Sequence, residues 1–288
     1  MVQTTTIRQA GETPAPQPDA IAKIRVVTIL GLEHSGTTLL ARMLGAHPDA
    51  VAIGGLKNLP SFLQHKKLCS CGSGPDSCTF WQPVLERLQS AGHDPAELAA
   101  ALSARRTAPV PARQAAGYVI AAIAAQSGAR VIVDTSRHPE WSRLLRPLAG
   151  VEVLPVHIYK SPLAQAASAK RKARSVYGEI AKYITRSRSC RAEARCGDGV
   201  TLAHQDLCAT PRQEIVRIME RLCHIPDSRQ VEDWGSCPLH MLGGNRMRAS
   251  TRSEIKPDED MAGLFSPVQS ALLRLCGAAA YAANQRQR

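Results

Sequence analysis

Short apolar runs alternate along the chain with longer stretches in which apolar residues recur every three or four positions. The runs are rich in β-branched residues and predict strands buried on both faces of a parallel sheet; they lie at 24–30, 49–55, 129–136 and 151–160. The periodic stretches predict helices; they lie at 37–48, 81–90, 95–106, 112–126, 138–150, 211–223 and 267–283, with a long basic helix after Pro162. This alternation predicts an α/β fold with an open parallel sheet and crossover helices.

Residues 1–22 lack this pattern, because they are polar and contain three prolines. We expect a flexible N-terminal tail there and a single domain over 23–288, with an irregular cysteine-containing loop at 56–80. A chain of 288 residues buries enough surface to fold without disulfides or a metal. No apolar run approaches the ~20 residues of a membrane span, and the N-terminus does not resemble a secretory signal. A cytoplasmic protein is expected.

The formal net charge of +12 predicts an anionic partner. The excess is concentrated between 170 and 195, where nine basic residues accompany two acidic ones. Aromatic residues make up only 4% of the chain, and no helix-turn-helix or zinc-finger motif is present. A nucleic-acid partner is therefore not expected. A small anionic ligand fits the charge better.

The segment after the first predicted strand has the spacing of a phosphate-binding loop. Gly31 and Gly36 are separated by four residues, and a predicted helix follows at once. Small residues allow backbone N–H groups to face an anion, and the helix N-terminus adds partial positive charge. We expect Ser35, Gly36, Thr37 and Thr38 to contact phosphate. Thr37 stands where nucleoside triphosphatases place Lys, so the loop fits ATP hydrolysis poorly.

These motifs resemble those of bacterial sulfotransferases that use 3′-phosphoadenosine 5′-phosphosulfate (PAPS). The loop GLEHSGTTLL followed by His47-Pro48 is similar to the family's phosphosulfate loop, and VIVDTSRHP is similar to a strand end of bacterial members. The segment HIYKSPLAQAAS resembles the 3′-phosphate motif, and HMLGGNRMR resembles a late loop near the cofactor. The family's motif residues are matched in chain order by Gly31, Ser35, Gly36, Thr37, Thr38, Lys160, Pro162, Ser168, His240, Gly244, Asn245 and Arg248.

The resemblance implies a P-loop-type nucleotide-binding fold and a transferase that moves a sulfuryl group from PAPS to a hydroxyl or amine. It places Lys160 and Ser168 at the 3′-phosphate of the donor. It places Gly244, Asn245 and Arg248 in the late cofactor loop. The acceptor is a small molecule, lipid or carbohydrate that the sequence does not identify.

His34 replaces the Arg or Lys that the family carries in its loop, and the resemblance makes it the catalytic candidate. It would donate to the leaving oxygen as an imidazolium, which bound phosphates would favour; otherwise it only shapes the loop. The base is unassigned, because Gly55 stands where relatives have Glu. Glu33, Lys57 and His65 are substitutes by proximity in the sequence alone.

Cys69, Cys71 and Cys78 lie in the irregular loop, with His65 four residues earlier. Four such side chains would be enough for zinc, but the Cys-x-Cys spacing is tighter than usual. The sequence therefore favours a cluster of free thiols over a metal site, and zinc stays an alternative.

Two other functions stay open. One is a small-molecule kinase that uses the same loop with ATP, which the missing loop Lys disfavours. The other is a relative that binds the donor but is not catalytic. The absence of the Glu at position 55 and the replacement of the loop Arg by His34 are consistent with this alternative. Thermal stabilisation discriminates between the donors, because adenosine 3′,5′-bisphosphate should raise the melting temperature of a sulfotransferase much more than ATP with Mg²⁺ does.

Overall fold

The computed structural model describes residues 23–244, 246–255, 257 and 264–287. The predicted N-terminal tail, residues 1–22, lies outside the described residues. Five strands are present in this part of the chain: β1 (Ile24–Leu30), β2 (Ala50–Gly54), β3 (Val131–Arg137), β4 (Val151–Tyr159) and β5 (Val200–Ala203).

Twelve α-helices surround the strands among the described residues. Most follow the predicted stretches closely, and the bounds are α1 (Thr37–Gly45), α2 (Leu59–Leu63), α3 (Trp81–Ser90), α4 (Pro95–Ser103), α5 (Pro109–Ser127), α6 (Pro139–Leu145), α7 (Pro162–Lys170), α8 (Val176–Cys196), α9 (His204–Ala209), α10 (Pro211–Arg221), α11 (Arg229–Glu232) and α12 (Pro267–Gln285). Short 3₁₀ turns lie at Leu56–Asn58 and Arg246–Ala249. None of the described helices is long and apolar enough to cross a membrane.

The five strands form one parallel sheet in the order β2-β3-β1-β4-β5. The predicted α/β fold is confirmed. Successive residues of β1 point to opposite faces, as the period of a strand requires. Val26 packs into a core shared with α3, α5 and α6 on one face, whereas Val27 and Ile29 pack into a core shared with α1 and α10 on the other. Burial on both faces explains why β1 reads as an unbroken apolar run.

The predicted long basic helix is in fact two helices. The chain turns at 171–175, where Ala173 has a left-handed φ of 53°, and Ser175 then caps α8 by accepting a hydrogen bond from the Gly178 amide at 3.2 Å. The helix α8 then continues to Cys196. Strand β5, only four residues long, was missed because so short a run carries no recognisable period.

A buried carboxylate joins α6 to α8. The Glu193 side chain is 3% exposed and accepts hydrogen bonds from Ser142 Oγ at 2.8 Å and Arg143 Nε at 2.7 Å. It also accepts one from Arg146. Because the charge is paired and fully hydrogen-bonded, its burial is tolerated, and it holds α8 beside the carboxyl edge of the sheet.

Candidate functional site

The carboxyl ends of three neighbouring strands, β3, β1 and β4, lie at one edge of the sheet. A polar segment follows or ends each of them: residues 31–36 after β1, residues 134–137 in β3, and Lys160 after β4. Because parallel strands point the same way, these segments lie side by side. This edge is where the sequence places the ligand.

The loop after β1 adopts a backbone that requires its two glycines. Gly31 and Gly36 have φ values of 152° and 102°, and a Cβ on Gly31 would lie closer than 3.0 Å to the Ile158 carbonyl oxygen. Ser35 Oγ donates to the Leu32 carbonyl at 2.9 Å. The Ser35 hydroxyl therefore holds the loop in shape, and the glycines keep the backbone close to β4.

Helix α1 begins directly after this loop with Thr37 and Thr38, both buried. Gly36 at the N-cap offers no side chain to the free amides, and the first turn contains no acidic residue. The N–H groups of such a turn have no partner within the helix and carry partial positive charge. This end of α1 is suited to a phosphate or sulfate group.

The segment after His240 crosses the start of α1. A Cβ on Gly244 would lie 3.6 Å from Thr38 Oγ1, and Arg42 of α1 donates to the Met247 carbonyl at 2.6 Å. Arg248 donates to the Leu68 carbonyl at 3.4 Å. Gly244 thus lies at the start of α1, and Arg248 lies beside Gly244 and binds the cysteine-containing loop, whereas Asn245 lies outside the described residues.

A cleft of about 440 Å³ opens on the β4 and β5 side of the loop. We call it the Lys160 cleft; it is lined by Tyr159, Lys160, Ser161, Ala164, Ala203, Gln205, Cys208, Ala209, Pro257 and Tyr281. Tyr183 Oη donates to the Lys160 carbonyl at 3.0 Å, which fixes the backbone at the end of β4. Ser168 is buried in the second half of α7. Lys160 therefore lines a cavity at the end of β4, and the phosphate roles of Lys160 and Ser168 stay predictions.

A second, more basic cleft of about 310 Å³ opens on the β3 side of the loop. We call it the α8 cleft; it is lined by Gly31, Leu32, Glu33, Arg137, His138, Arg174, Glu179, Lys182 and Arg186. Glu33 forms ion pairs with Arg137, at 3.1 Å, and with Arg174. Charged side chains from the loop after β1, from the end of β3 and from α8 therefore line the same cavity.

His34 lies between these charges with a left-handed φ of 65°. Burial lowers the pKa of its imidazole. Glu33 opposes this shift, but Arg174 and Lys172 reinforce it. In the free protein the ring is therefore neutral at pH 7, and the imidazolium expected from the sequence requires an anion beside it.

Among the three base candidates expected from the sequence, Lys57 has the most strongly shifted pKa. Burial is the main cause that lowers the pKa of its amine to about 8, and the Arg137 charge adds to the shift, whereas Asp134 and Glu33 oppose it. A substantial neutral fraction is then present near pH 8. Gly55 lies nearby in a crowded position, where a Cβ would be 3.3 Å from the Ser136 Cα.

The other base candidates are less suitable. Although burial raises the pKa of Glu33, its bonds to Arg174 and Arg137 hold it below the ordinary value, so this carboxylate is a weak base. His65 pairs with Asp76 at 3.3 Å in a separate surface cleft beside α3. His138, which was not a candidate in the sequence, also lines the α8 cleft, but burial and Arg186 lower its pKa to about 4 and its Nδ1 accepts a hydrogen bond from that guanidinium at 2.9 Å.

The cysteine loop does not use His65. Cys69, Cys71 and Cys78 meet His240 instead, with their Sγ atoms and a ring nitrogen of His240 all within 4.8 Å of one another. The pairing of His65 with the cysteines was wrong, because His65 turns toward Asp76. His240 was expected only to shape the cofactor loop, and its side chain in fact lies among the thiols.

Arg137 and His138 were missed as site residues. They lie three and four residues after Asp134, at a strand end that the sequence already marked as polar. The signal was present, since a polar cluster at the carboxyl end of a buried parallel strand points to the ligand edge.

The comparison with known proteins agrees with this arrangement. Residues 27–226 match the model of the sulfotransferase family, which is more than half of the chain. The chain belongs to the sulfotransferase family. The resemblance drawn from the loop motifs is thereby confirmed. No curated protein sequence matches the chain.

Two solved structures are similar to this family member. One is the sulfotransferase domain from the curacin biosynthetic pathway, with a TM-score of 0.53 and 14% identity over 88% of this chain and 96% of that domain. The other is the sulfotransferase domain from the Synechococcus PCC 7002 olefin synthase, with a TM-score of 0.49 and 17% identity over 91% of this chain and 97% of that domain. At these identities the likeness concerns the fold alone.

Proposed function

We propose that this protein transfers the sulfuryl group of PAPS to a hydroxyl or amine of an acceptor. The observation that carries the proposal is the glycine loop that precedes the free amides of α1 at the carboxyl edge of the sheet, with one cleft at the end of β4 and a second, basic cleft lined by Gly31, Leu32 and Glu33 of the loop itself. The Lys160 cleft lies on the β4 side, and the basic α8 cleft lies on the β3 side. A donor in the first cleft and an acceptor in the second would meet at the loop.

The donor would place its phosphosulfate at the start of α1, against the amides and hydroxyls of Gly36, Thr37 and Thr38. Its 3′-phosphate would face Lys160, whose ammonium acts as a point charge. A donor with about four negative charges gains from the excess of basic groups around the loop.

In the reaction, the acceptor oxygen or nitrogen forms a bond to sulfur while the bond from sulfur to the bridging phosphate oxygen breaks. The electron pair of that bond leaves with adenosine 3′,5′-bisphosphate. His34, once protonated beside the donor, would donate to the leaving oxygen. The neutral amine of Lys57 would take the acceptor proton, and its pKa of about 8 suits that role.

The acceptor would lie in the α8 cleft. Four cationic side chains and two carboxylates line it, and the remaining positive charge favours an acceptor that carries a negative group of its own. Carbohydrates, lipids and aromatic compounds with such a group are candidates.

A kinase that uses the same loop is disfavoured by Asp134. This carboxylate lies in β3, the strand beside β1, three residues before its end, where it would be suited to hold Mg²⁺. Its oxygens instead accept hydrogen bonds from the Leu56 amide at 2.8 Å and the Ser136 amide at 2.6 Å. Asp134 thus fixes the turn after β2.

The first experiment measures the melting temperature with ligands at matched concentration. Adenosine 3′,5′-bisphosphate should raise it much more than ATP with Mg²⁺ does. A ligand at 100 times its dissociation constant adds about 2.7 kcal/mol to the free energy of unfolding. A larger shift with ATP would overturn the proposed donor. Lys160→Ala should weaken the effect of adenosine 3′,5′-bisphosphate, and Lys182→Ala, outside the Lys160 cleft, serves as the matched control.

The second experiment measures turnover with radiolabelled PAPS and acceptor extracts. His34→Asn should lower kcat by about 10²–10³, because Asn tolerates the left-handed backbone but does not supply the charge, and product affinity should be unchanged at alkaline pH, where His34 is uncharged with and without ligand. His34→Arg should retain activity. Donor binding without sulfuryl transfer to any acceptor would support the non-catalytic alternative.

A further inference from the structure

Four metal-ligating side chains from distant parts of the chain meet beside the site. Cys78 Sγ lies 3.7 Å from Cys71 Sγ and 3.4 Å from His240 Nδ1, and Cys69 Sγ lies 3.8 Å from the same nitrogen. All four ligand atoms fall within 4.8 Å of one another. The three cysteines come from one loop, whereas His240 belongs to the segment that crosses α1.

These separations match those of a tetrahedral zinc site. With Zn–S about 2.3 Å and Zn–N about 2.0–2.1 Å, tetrahedral angles place two sulfurs about 3.8 Å apart and a sulfur about 3.5 Å from a nitrogen. The three distances given above, 3.7, 3.4 and 3.8 Å, lie within a few tenths of an ångström of these values. A set of three cysteines and one histidine is also a common structural donor set for zinc.

The surroundings hold the ligands in place. The Trp81 amide donates to Cys78 Sγ at 3.5 Å, a contact that stabilises a thiolate, and Trp81 Nε1 donates to the His240 carbonyl at 2.8 Å. Ser70 Oγ donates to the Leu239 carbonyl at 2.6 Å and accepts from the Met241 amide at 2.8 Å. The bonds to the His240 and Leu239 carbonyls and from the Met241 amide therefore fix both sides of the cluster without involving a ligand atom.

A cluster of free thiols explains these features less well. Cys71 is exposed and gains nothing from burial, yet its sulfur points to the other ligands. A hydrophobic pocket would not require His240, whose ring nitrogen is the common partner of two sulfurs.

We propose that Cys69, Cys71, Cys78 and His240 bind one Zn²⁺ ion. With four protein ligands the site is closed, so the metal is structural and leaves no position for a substrate. Binding displaces the thiol protons and leaves three thiolates and one neutral imidazole on the ion.

The metal would fix the segment that completes the donor site. His240 is followed by Leu242, whose carbonyl accepts from the Gly55 amide at 2.9 Å, and then by Gly244 beside Thr38. The zinc would thus connect the cysteine loop to the residues over α1. The proposal rests on the ligand geometry and is independent of which reaction the protein catalyses.

The test is metal analysis of the full-length protein purified without chelator. We expect one zinc per chain, lost in Cys71→Ser and His240→Ala and retained in Cys276→Ser, a matched exposed cysteine on α12. Replacement of zinc by Co²⁺ should give the visible absorption of a tetrahedral thiolate site in the wild type only.

A second measurement keeps the proposal testable if a variant fails to fold. A chelator should lower the melting temperature of the wild type, and added Zn²⁺ should restore it. Protein that contains no zinc and shows no cobalt absorption after reconstitution would overturn the site. Iron in place of zinc, or a disulfide between Cys71 and Cys78 in freshly purified protein, would overturn it as well.

Discussion

Gly36→Ala is the substitution that tests the phosphate loop most directly. Gly36 is the N-cap of α1 and has a φ of 102°, in a region that L-residues rarely adopt. A Cβ there would lie closer than 3.0 Å to Cδ2 of the His204 ring and 3.1 Å from Ile158 Cδ1. The His204 ring is buried, so it cannot swing into solvent.

The loss of stability expected for Gly36→Ala has two parts. The left-handed backbone costs about 1–2 kcal/mol for a residue with a Cβ. Forcing an extra methyl group against His204 and Ile158 costs about 1–3 kcal/mol, as overpacking of a core does. Gly36→Ala should therefore lower the free energy of unfolding by about 2–5 kcal/mol.

The same change should weaken ligand binding, because the strained loop moves an amide away from the phosphate. Loss of one hydrogen bond to a charged group, about 1.5–3 kcal/mol, corresponds to about 10- to 160-fold weaker binding of adenosine 3′,5′-bisphosphate. Isothermal calorimetry measures this affinity, and denaturant unfolding measures the stability.

Gly92→Ala is the matched control. Gly92 also has a positive φ, 81°, but no atom lies within 4 Å of its Cβ position. This variant should carry the backbone cost alone, be about 1–3 kcal/mol more stable than Gly36→Ala and bind ligand normally. Adding His204→Ala to Gly36→Ala should recover part of the stability. Equal losses in the two glycine variants, with unchanged affinity, would refute the argument.

Three further predictions concern charged groups. With Lys57 as the base, kcat/KM should rise with pH through about 8, since the amine accepts a proton only when neutral, and Lys57→Met should abolish this rise. Glu193→Ala should lower the unfolding free energy by about 3 kcal/mol in chemical denaturation, whereas Glu140→Ala, which removes an exposed pair with Arg106, should change it by about 0–1 kcal/mol. Arg186→Gln should raise KM for an anionic acceptor and leave KM for PAPS unchanged.

The sequence was a reliable guide wherever one local pattern decided the structure. The buried run before Gly31 specified β1, and the two glycines with the following threonines specified a loop and a helix start. The convergence of three polar strand ends followed from a general property of parallel sheets. None of these steps required knowledge of a distant contact.

The remaining features depend on long-range contacts. His240 lies 162 residues after Cys78 in the chain and contacts its sulfur, and no spacing rule selects it over His65, four residues before Cys69. The low pKa of Lys57, in the 3₁₀ turn after β2, likewise depends on burial and on Arg137, which belongs to β3. Such properties arise only when separate elements pack together.

The protonation state of His34 should depend on whether the donor is bound. Burial and the Arg174 charge keep its imidazole neutral in the free protein, so the loop adds no further positive charge beside Arg137. A bound donor, with about four negative charges, should raise the pKa of His34. At a pH between the His34 pKa of the free protein and that of the complex, donor binding is therefore accompanied by uptake of a proton. The affinity for adenosine 3′,5′-bisphosphate should fall as the pH rises through that range. Calorimetry of adenosine 3′,5′-bisphosphate binding in buffers of different ionisation enthalpy measures this uptake. Wild-type protein should show it, and His34→Asn should not; equal uptake by both would assign the proton to another group.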